Sequence, residues 1–132
     1  MDEVQLWSNW QAGRLADGVA FIGTFLAIWL ALRTARMTRE NSETNIFTKV
    51  LSSAFGLLVV AGSWTTWTIG ANTWAITAGA LDALEEKTEV AKGFIEYVGT
   101  TEPVQSPTPL GIAFLAVVTI MILSLIWAPK QN

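Results

Sequence analysis

Hydrophobic and polar positions divide the chain into three long apolar runs separated by charged segments. From Leu15 to Leu32 every side chain is apolar except Asp17 and Thr24. That is about eighteen residues, or roughly 27 Å of helix, against a hydrocarbon core about 30 Å thick. From Val50 to Leu81 there is no ionisable side chain at all. A helix of roughly 32 residues is about 48 Å long, so part of this run must tilt or emerge from a bilayer. Leu110 to Trp127 is the cleanest run, with Thr119 and Ser124 its only polar side chains. The pattern predicts an all-α membrane protein in one domain. Its three transmembrane helices lie over about 15–32, 50–72 and 110–127.

The connectors predict the remaining elements and the orientation. Segment 33–49 carries Arg33, Arg36, Arg39 and Lys49 against Glu40 and Glu43, which marks a cytoplasmic loop by the positive-inside rule. Segment 82–109 carries six acids against Lys87 and Lys92 and is expected on the opposite, extracytoplasmic side. Within it, Leu81, Leu84, Ala91, Ile95 and Val98 recur at helical spacing, so an amphipathic helix either continues the second span to residue 98 or lies on the membrane face. Pro103, Pro107 and Pro109 make the stretch after Gly99 a stiff loop, because proline lacks the N–H a helix needs. At the other end Asp2 and Glu3 precede the first run and the arginines follow it, the reverse of a secretory signal, so the N-terminus is expected to be retained, outside. Lys130 follows Trp127 and places the C-terminus inside. The expected setting is a prokaryotic cytoplasmic (inner) membrane.

Composition reinforces the membrane reading and narrows the chemistry. Mean hydropathy is +0.42, with 14% charged residues and seven Trp against one Tyr. Indole rings are enriched where an apolar body and one polar N–H both find partners, and Trp7, Trp10, Trp29 and Trp127 are placed as interfacial anchors. A net charge of −3 is too small to imply a charged ligand. The chain has no Cys and no His, which removes thiol chemistry, the commonest metal ligand and the commonest general base. No metal, catalytic or nucleic-acid motif occurs, and the chain is read as a non-enzyme with no cofactor of its own beyond a bound lipid.

The second span is the most distinctive. On a 3.6-residue wheel Trp64, Trp67, Ala71, Trp74 and Ala78 form one stripe, and Thr66, Thr73 and Thr77 the opposite one. Two readings stand: the tryptophans pack on a neighbour or sit at headgroup level while the threonines bond their own i−4 carbonyls, or one stripe lines a ligand, lipid or cofactor contact in a larger complex. Gly62, Thr66 and Gly70, like Ala27 and Ala31 in the first span, are in small-xxx-small register suited to close helix contact. Asp17 borders the first span. About sixteen residues above Arg33, it lies near the outer interface, as a hydrated or Arg14-paired carboxylate or, less simply, as a proton or ion ligand. The acids Asp82, Glu85, Glu86 and Glu89 share a flank, either a solvated face or a divalent-cation surface. Arg33, Arg36 and Arg39 set topology and meet lipid headgroups.

These features suit a small non-catalytic accessory subunit of a multi-subunit membrane complex, such as a respiratory, photosynthetic or membrane-bound oxygenase assembly. It would dock on larger subunits and lipids, and not on nucleic acid, through its small-residue and Trp/Thr faces. The alternative is a homo-oligomeric pore or small transporter, including a lysis-type hole former, with polar groups drawn from Thr66, Thr73, Thr77 and Asn72.

Overall fold

The computed structural model describes residues 1–130, which form four helices: α1 (Glu3–Glu40), α2 (Ile46–Asp82), α3 (Glu89–Val98) and α4 (Pro109–Trp127). Helices α1, α2 and α4 are each long and apolar enough to cross a membrane.

Helix α1 begins in a capping box, with the Gln5 backbone N–H donating to Asp2 Oδ1 at 2.8 Å and the Asp2 N–H donating to Gln5 Oε1 at 3.0 Å. It does not stop at the arginines. The expected loop over 33–49 is helical as far as Glu40, and the chain leaves helical geometry only from Asn41 to Asn45. The reason is local. Arg33 to Glu40 contains no Gly or Pro, basic residues are favourable near a helix C-terminus, and Arg36 pairs with Glu40 at 2.8 Å. The charges therefore mark a level along the helix and not its end. That ion pair also raises the Arg36 pKa above its ordinary value through the hydrogen bond and the charge of Glu40.

Asn45 caps α2 by accepting from the Thr48 N–H at 3.0 Å. The helix ends at Asp82 and does not run on to residue 98. Thr88 N-caps a separate α3, and Gly99, at φ 78°, closes it in the left-handed conformation that glycine adopts without strain. The break is driven by burial. A straight continuation would carry Ala91, Phe94 and Ile95 away from the bundle, whereas the bend folds them onto Leu6 and Leu81 in a second small core. Glu3 secures the fold-back: Thr88 Oγ1 donates to its carboxylate at 2.6 Å and Trp7 Nε1 at 3.1 Å. The Thr88 hydroxyl first, and the Trp7 indole second, hold the Glu3 carboxyl below its ordinary pKa.

The proline-rich link from 99 to 108 is non-helical. Asn72 fastens it, donating from Nδ2 to Val104 O at 2.8 Å and accepting the Val104 N–H at 2.7 Å. Helix α4 then returns parallel to α1. Its buried Leu115, Val118, Ile122 and Ile126 form the main core with Ile28, Ala31 and Ala35. The α2–α4 approach is tight at Gly56, where a Cβ would lie 2.6 Å from Ile122 Cγ2. At the far end Arg39 Nη1 donates to the carbonyls of Leu125 at 3.1 Å and Ala128 at 2.9 Å, with a longer 3.4 Å contact to Ser124, while Nη2 donates to Pro129 at 3.2 Å. Leu125 O is one of the carbonyls that the end of a helix leaves without an internal partner, and Ala128 and Pro129 extend the cluster just past that end.

Candidate functional site

Four positions of α1, Arg14, Asp17, Phe21 and Phe25, recur at intervals of three and four and so share one face. That face meets the stretch of α2 from Thr66 to Trp74 and the first turn of α4. Between the three helices lies a cleft of about 460 Å³ with its charged groups at one end and its aromatic groups along its length.

The charged end is built from α1. Arg14 Nη1 lies 3.5 Å from Asp17 Oδ2, an ion-pair contact too long to count as a good hydrogen bond, with side-chain exposures of 39% and 15%. The Arg14 guanidinium also sits 5.2 Å from the Trp74 ring centroid. Trp74 is itself stacked on Phe94 of α3, with centroids 5.6 Å apart and planes 9° apart, and Trp10 meets it edge-on at 5.4 Å. Three buried side-chain polar atoms among the described residues have no hydrogen-bond partner: Trp10 Nε1, Ser52 Oγ and Asp17 Oδ2. Of these three residues only Asp17 lines the cleft. Gly70 faces it across the gap, where a Cβ would stand 3.9 Å from the Asp17 carboxyl carbon, so glycine leaves room beside the acid.

The aromatic wall joins all three long helices. Trp67 packs against Phe21 at 5.3 Å, Phe25 at 5.9 Å and Phe114 at 5.8 Å, and its Nε1 donates to Thr24 Oγ1 at 2.9 Å. The indole N–H is thereby satisfied inside the apolar segment, as a buried indole requires. Thr24 relays the bond to its own helix by donating to Phe21 O at 2.7 Å.

The residues singled out from sequence fall into distinct environments. Trp67, Trp74, Thr66 and Gly70 line the cleft, whereas Trp64 is 38% exposed on the outside of α2. Gly62 stands free, with nothing within 4 Å of an added Cβ. Thr73 and Thr77 donate to their own i−4 carbonyls at 3.3 and 2.7 Å, and the Thr73 methyl lies against Gly13. Ala31 is buried in the α1–α4 core and Ala27 half-buried beside it. Trp7 and Trp10 pack on Phe94 at 5.1 and 5.5 Å. Trp29 is exposed under the Arg33 guanidinium. Trp127 donates to Ser53 Oγ at 2.8 Å beneath Lys49. The acids at Asp82, Glu85, Glu86 and Glu89 do not converge, and among the described residues no group of three or more acidic side chains could hold a metal.

Sequence reasoning passed over Arg14, Phe21, Phe25 and Phe114 as a unit, and Gly56, Asn72 and Arg39 as fasteners. The shared face of Arg14, Asp17, Phe21 and Phe25 was a readable signal, since it follows from spacing alone. No protein-family model matches this chain, and no curated protein or solved structure matches it.

Proposed function

We propose that this chain is a small non-catalytic subunit of a larger integral-membrane complex, of the respiratory, photosynthetic or membrane-bound oxygenase kind. It sits in a prokaryotic cytoplasmic membrane with its N-terminus outside and C-terminus inside, and α3 and the proline-rich link on the outer side. The observation that carries the reading is the character of the outward surface. Gly23 and Gly62 are exposed in the middle of α1 and α2, and an added Cβ at either meets nothing within 4 Å. A face made only to meet lipid has no use for glycine, whereas small residues let a partner's backbone approach closely, where dispersion and weak hydrogen bonds are strongest.

The pore reading has less support. A conducting path needs a continuous file of polar groups, and of the four candidates Thr73 and Thr77 bond carbonyls of their own helix and Asn72 holds the Val104 backbone, which leaves Thr66 alone facing the cleft.

Extraction from the native membrane in mild detergent, followed by native electrophoresis and mass spectrometry, tests the proposal. Co-migration with larger heterologous subunits, lost on Gly23→Leu or Gly62→Leu, is the expected result. A ladder of self-oligomers alone refutes it, and ion flux from liposomes that falls on Thr73→Val or Thr77→Val favours the pore.

A further inference from the structure

We propose that the cleft between α1, α2 and the start of α4 is a binding site for one diacyl phospholipid whose head group carries a primary ammonium. The phosphate would meet Arg14, the ammonium Asp17, and an acyl chain would run along Phe21, Phe25 and Phe114. The inference shares with the proposed function its membrane setting, but it does not depend on any partner subunit.

The cleft has the form an amphiphile needs. Its volume of about 460 Å³ falls within the range of ligand pockets, roughly 300–1,000 Å³, and its charged groups are confined to one end, the rest of the wall being mainly apolar with Thr66 among the aromatic rings. Along α1 that end stands about sixteen residues, or roughly 24 Å, from Arg33, so the charged pair lies at one headgroup level and the basic cluster at the other. The aromatic residues descend from it toward the middle of the bundle, the direction an acyl chain takes.

Each charged group is left with capacity that this head group would use. Arg14 has five N–H donors, and its contacts in the structure are the 3.5 Å approach to Asp17 and the face of Trp74. A planar guanidinium presents paired donors that match two oxygens of a phosphate. Asp17 Oδ2 has no hydrogen-bond partner, and the side chain lines the cleft with 15% of its surface still exposed, so its carboxylate can take an N–H donor from there. A primary ammonium offers three. A quaternary ammonium offers none and is usually held by open aromatic faces, but the Trp74 ring is already engaged by Arg14 and by Phe94. A head group with net negative charge would bring that charge beside Asp17. The Arg14–Asp17 pair is neutral as a unit, and a zwitterion with phosphate and ammonium side by side is its electrostatic complement.

Gly18 gives a way to close the site without disturbing the bundle. It lines the cleft, and a Cβ built on it meets nothing within 4 Å. A large side chain there enters free space.

The test is native mass spectrometry of the purified full chain in mild detergent, offered phosphatidylethanolamine, phosphatidylcholine and phosphatidylglycerol with identical acyl chains in competition. The expected result is one phosphatidylethanolamine retained per chain, preferred over phosphatidylcholine by about tenfold, as one additional charge-assisted hydrogen bond implies. Asp17→Asn should remove that preference while lipid is still retained, Arg14→Gln should weaken retention of every phospholipid, and Gly18→Phe should abolish it. Leu58→Ala, on the exposed face of α2, should change nothing. Helical circular dichroism and the thermal midpoint confirm that each variant is folded. Equal retention of the three lipids, a preference for phosphatidylglycerol, displacement of bound phospholipid by a quinone, or an unaltered preference in folded Asp17→Asn would each overturn the proposal. None of these outcomes bears on co-migration with larger subunits.

Discussion

Gly56 and Gly62 lie on the same helix less than two turns apart, and replacing each by alanine should give opposite answers. At Gly56 the new Cβ would stand 2.6 Å from Ile122 Cγ2 and 3.3 Å from its Cδ1. Carbon atoms in contact prefer about 3.5–4.0 Å, so the overlap is on the order of 1 Å. Ile122 cannot move aside, because it is 1% exposed and a β-branched side chain in a helix has one strongly preferred χ1. The helices must separate instead, and overpacking of this kind costs about 1–3 kcal/mol. Alanine is favoured over glycine in a helix by up to about 1 kcal/mol, but that gain is largely shared by a detergent-denatured state that keeps its helices. The expected net destabilisation of Gly56→Ala is about 1–2 kcal/mol, with Gly62→Ala within about 0.5 kcal/mol of wild type. Unfolding in mixed micelles of increasing dodecyl sulfate fraction, followed by tryptophan fluorescence, measures both. The pairing with Ile122 sharpens the test. Ile122→Leu removes the offending Cγ2 at nearly constant volume, so it should lower the cost of Gly56→Ala to near zero in a double-mutant cycle. A Gly56→Ala protein as stable as wild type, or an undiminished cost in the Ile122→Leu background, would refute the close α2–α4 approach.

Asn72→Ala removes both partners of the Val104 backbone and should cost about 1–3 kcal/mol, with faster amide exchange across residues 99–108 as the direct readout. Arg39→Lys keeps the charge but loses the fork that reaches several carbonyls, and amide exchange should accelerate in the last turn of α4 while the rest of the helix is unchanged. Glu3 links the fold-back of α3 to pH. Its carboxyl is held below the ordinary glutamate value of about 4.3, so its stabilising contribution is complete above that pH and is lost as pH falls through the lowered folded value. Exchange in α3 should therefore rise on acidification below about pH 4, and Glu3→Gln should show the raised exchange at neutral pH and flatten the profile.

The three long helices were legible because run length and lack of charge are properties of the chain itself, and the link carrying Pro103, Pro107 and Pro109 was legible because proline acts locally. The two boundaries that differed have a common cause. Arg33, Arg36 and Arg39 report where a helix leaves an apolar environment, which is not where its hydrogen bonding stops, so a loop inferred from charge proved to be helix as far as Glu40. The break after Asp82 has no Gly or Pro to announce it. It exists because Ala91, Phe94 and Ile95 gain burial against Leu6 and Leu81, from opposite ends of the sequence, and only the folded chain brings those together. Gly56 and Gly62 are likewise indistinguishable in the sequence. Which one meets Ile122 depends on the rotation of α2 about its axis, and small-xxx-small register alone does not set that rotation. The tryptophan stripe divides for the same reason: Trp67 and Trp74 turn inward to the cleft and Trp64 does not.

The difference between the two ends of the bundle explains why a cleft exists at all. Toward the Arg39 end the contacts between helices are made by Ala31, Ala35, Ser53 and Gly56, and small residues bring α1, α2 and α4 close enough for Trp127 to bond Ser53 and for one guanidinium to gather the carbonyls of α4. Toward the Arg14 end the same three helices meet through Phe21, Phe25, Trp67 and Phe114, bulky rings that pack across the helices in tilted and stacked pairs. The groove is open, with Phe21, Phe25 and Phe114 of its wall still exposed, so a large apolar surface is left there for something to cover. Gly18, exposed at the groove wall, adds no side chain that would fill it. Leaving that position small, next to a carboxylate with an unmet hydrogen bond, keeps this end open to a third component with a polar head and an apolar body.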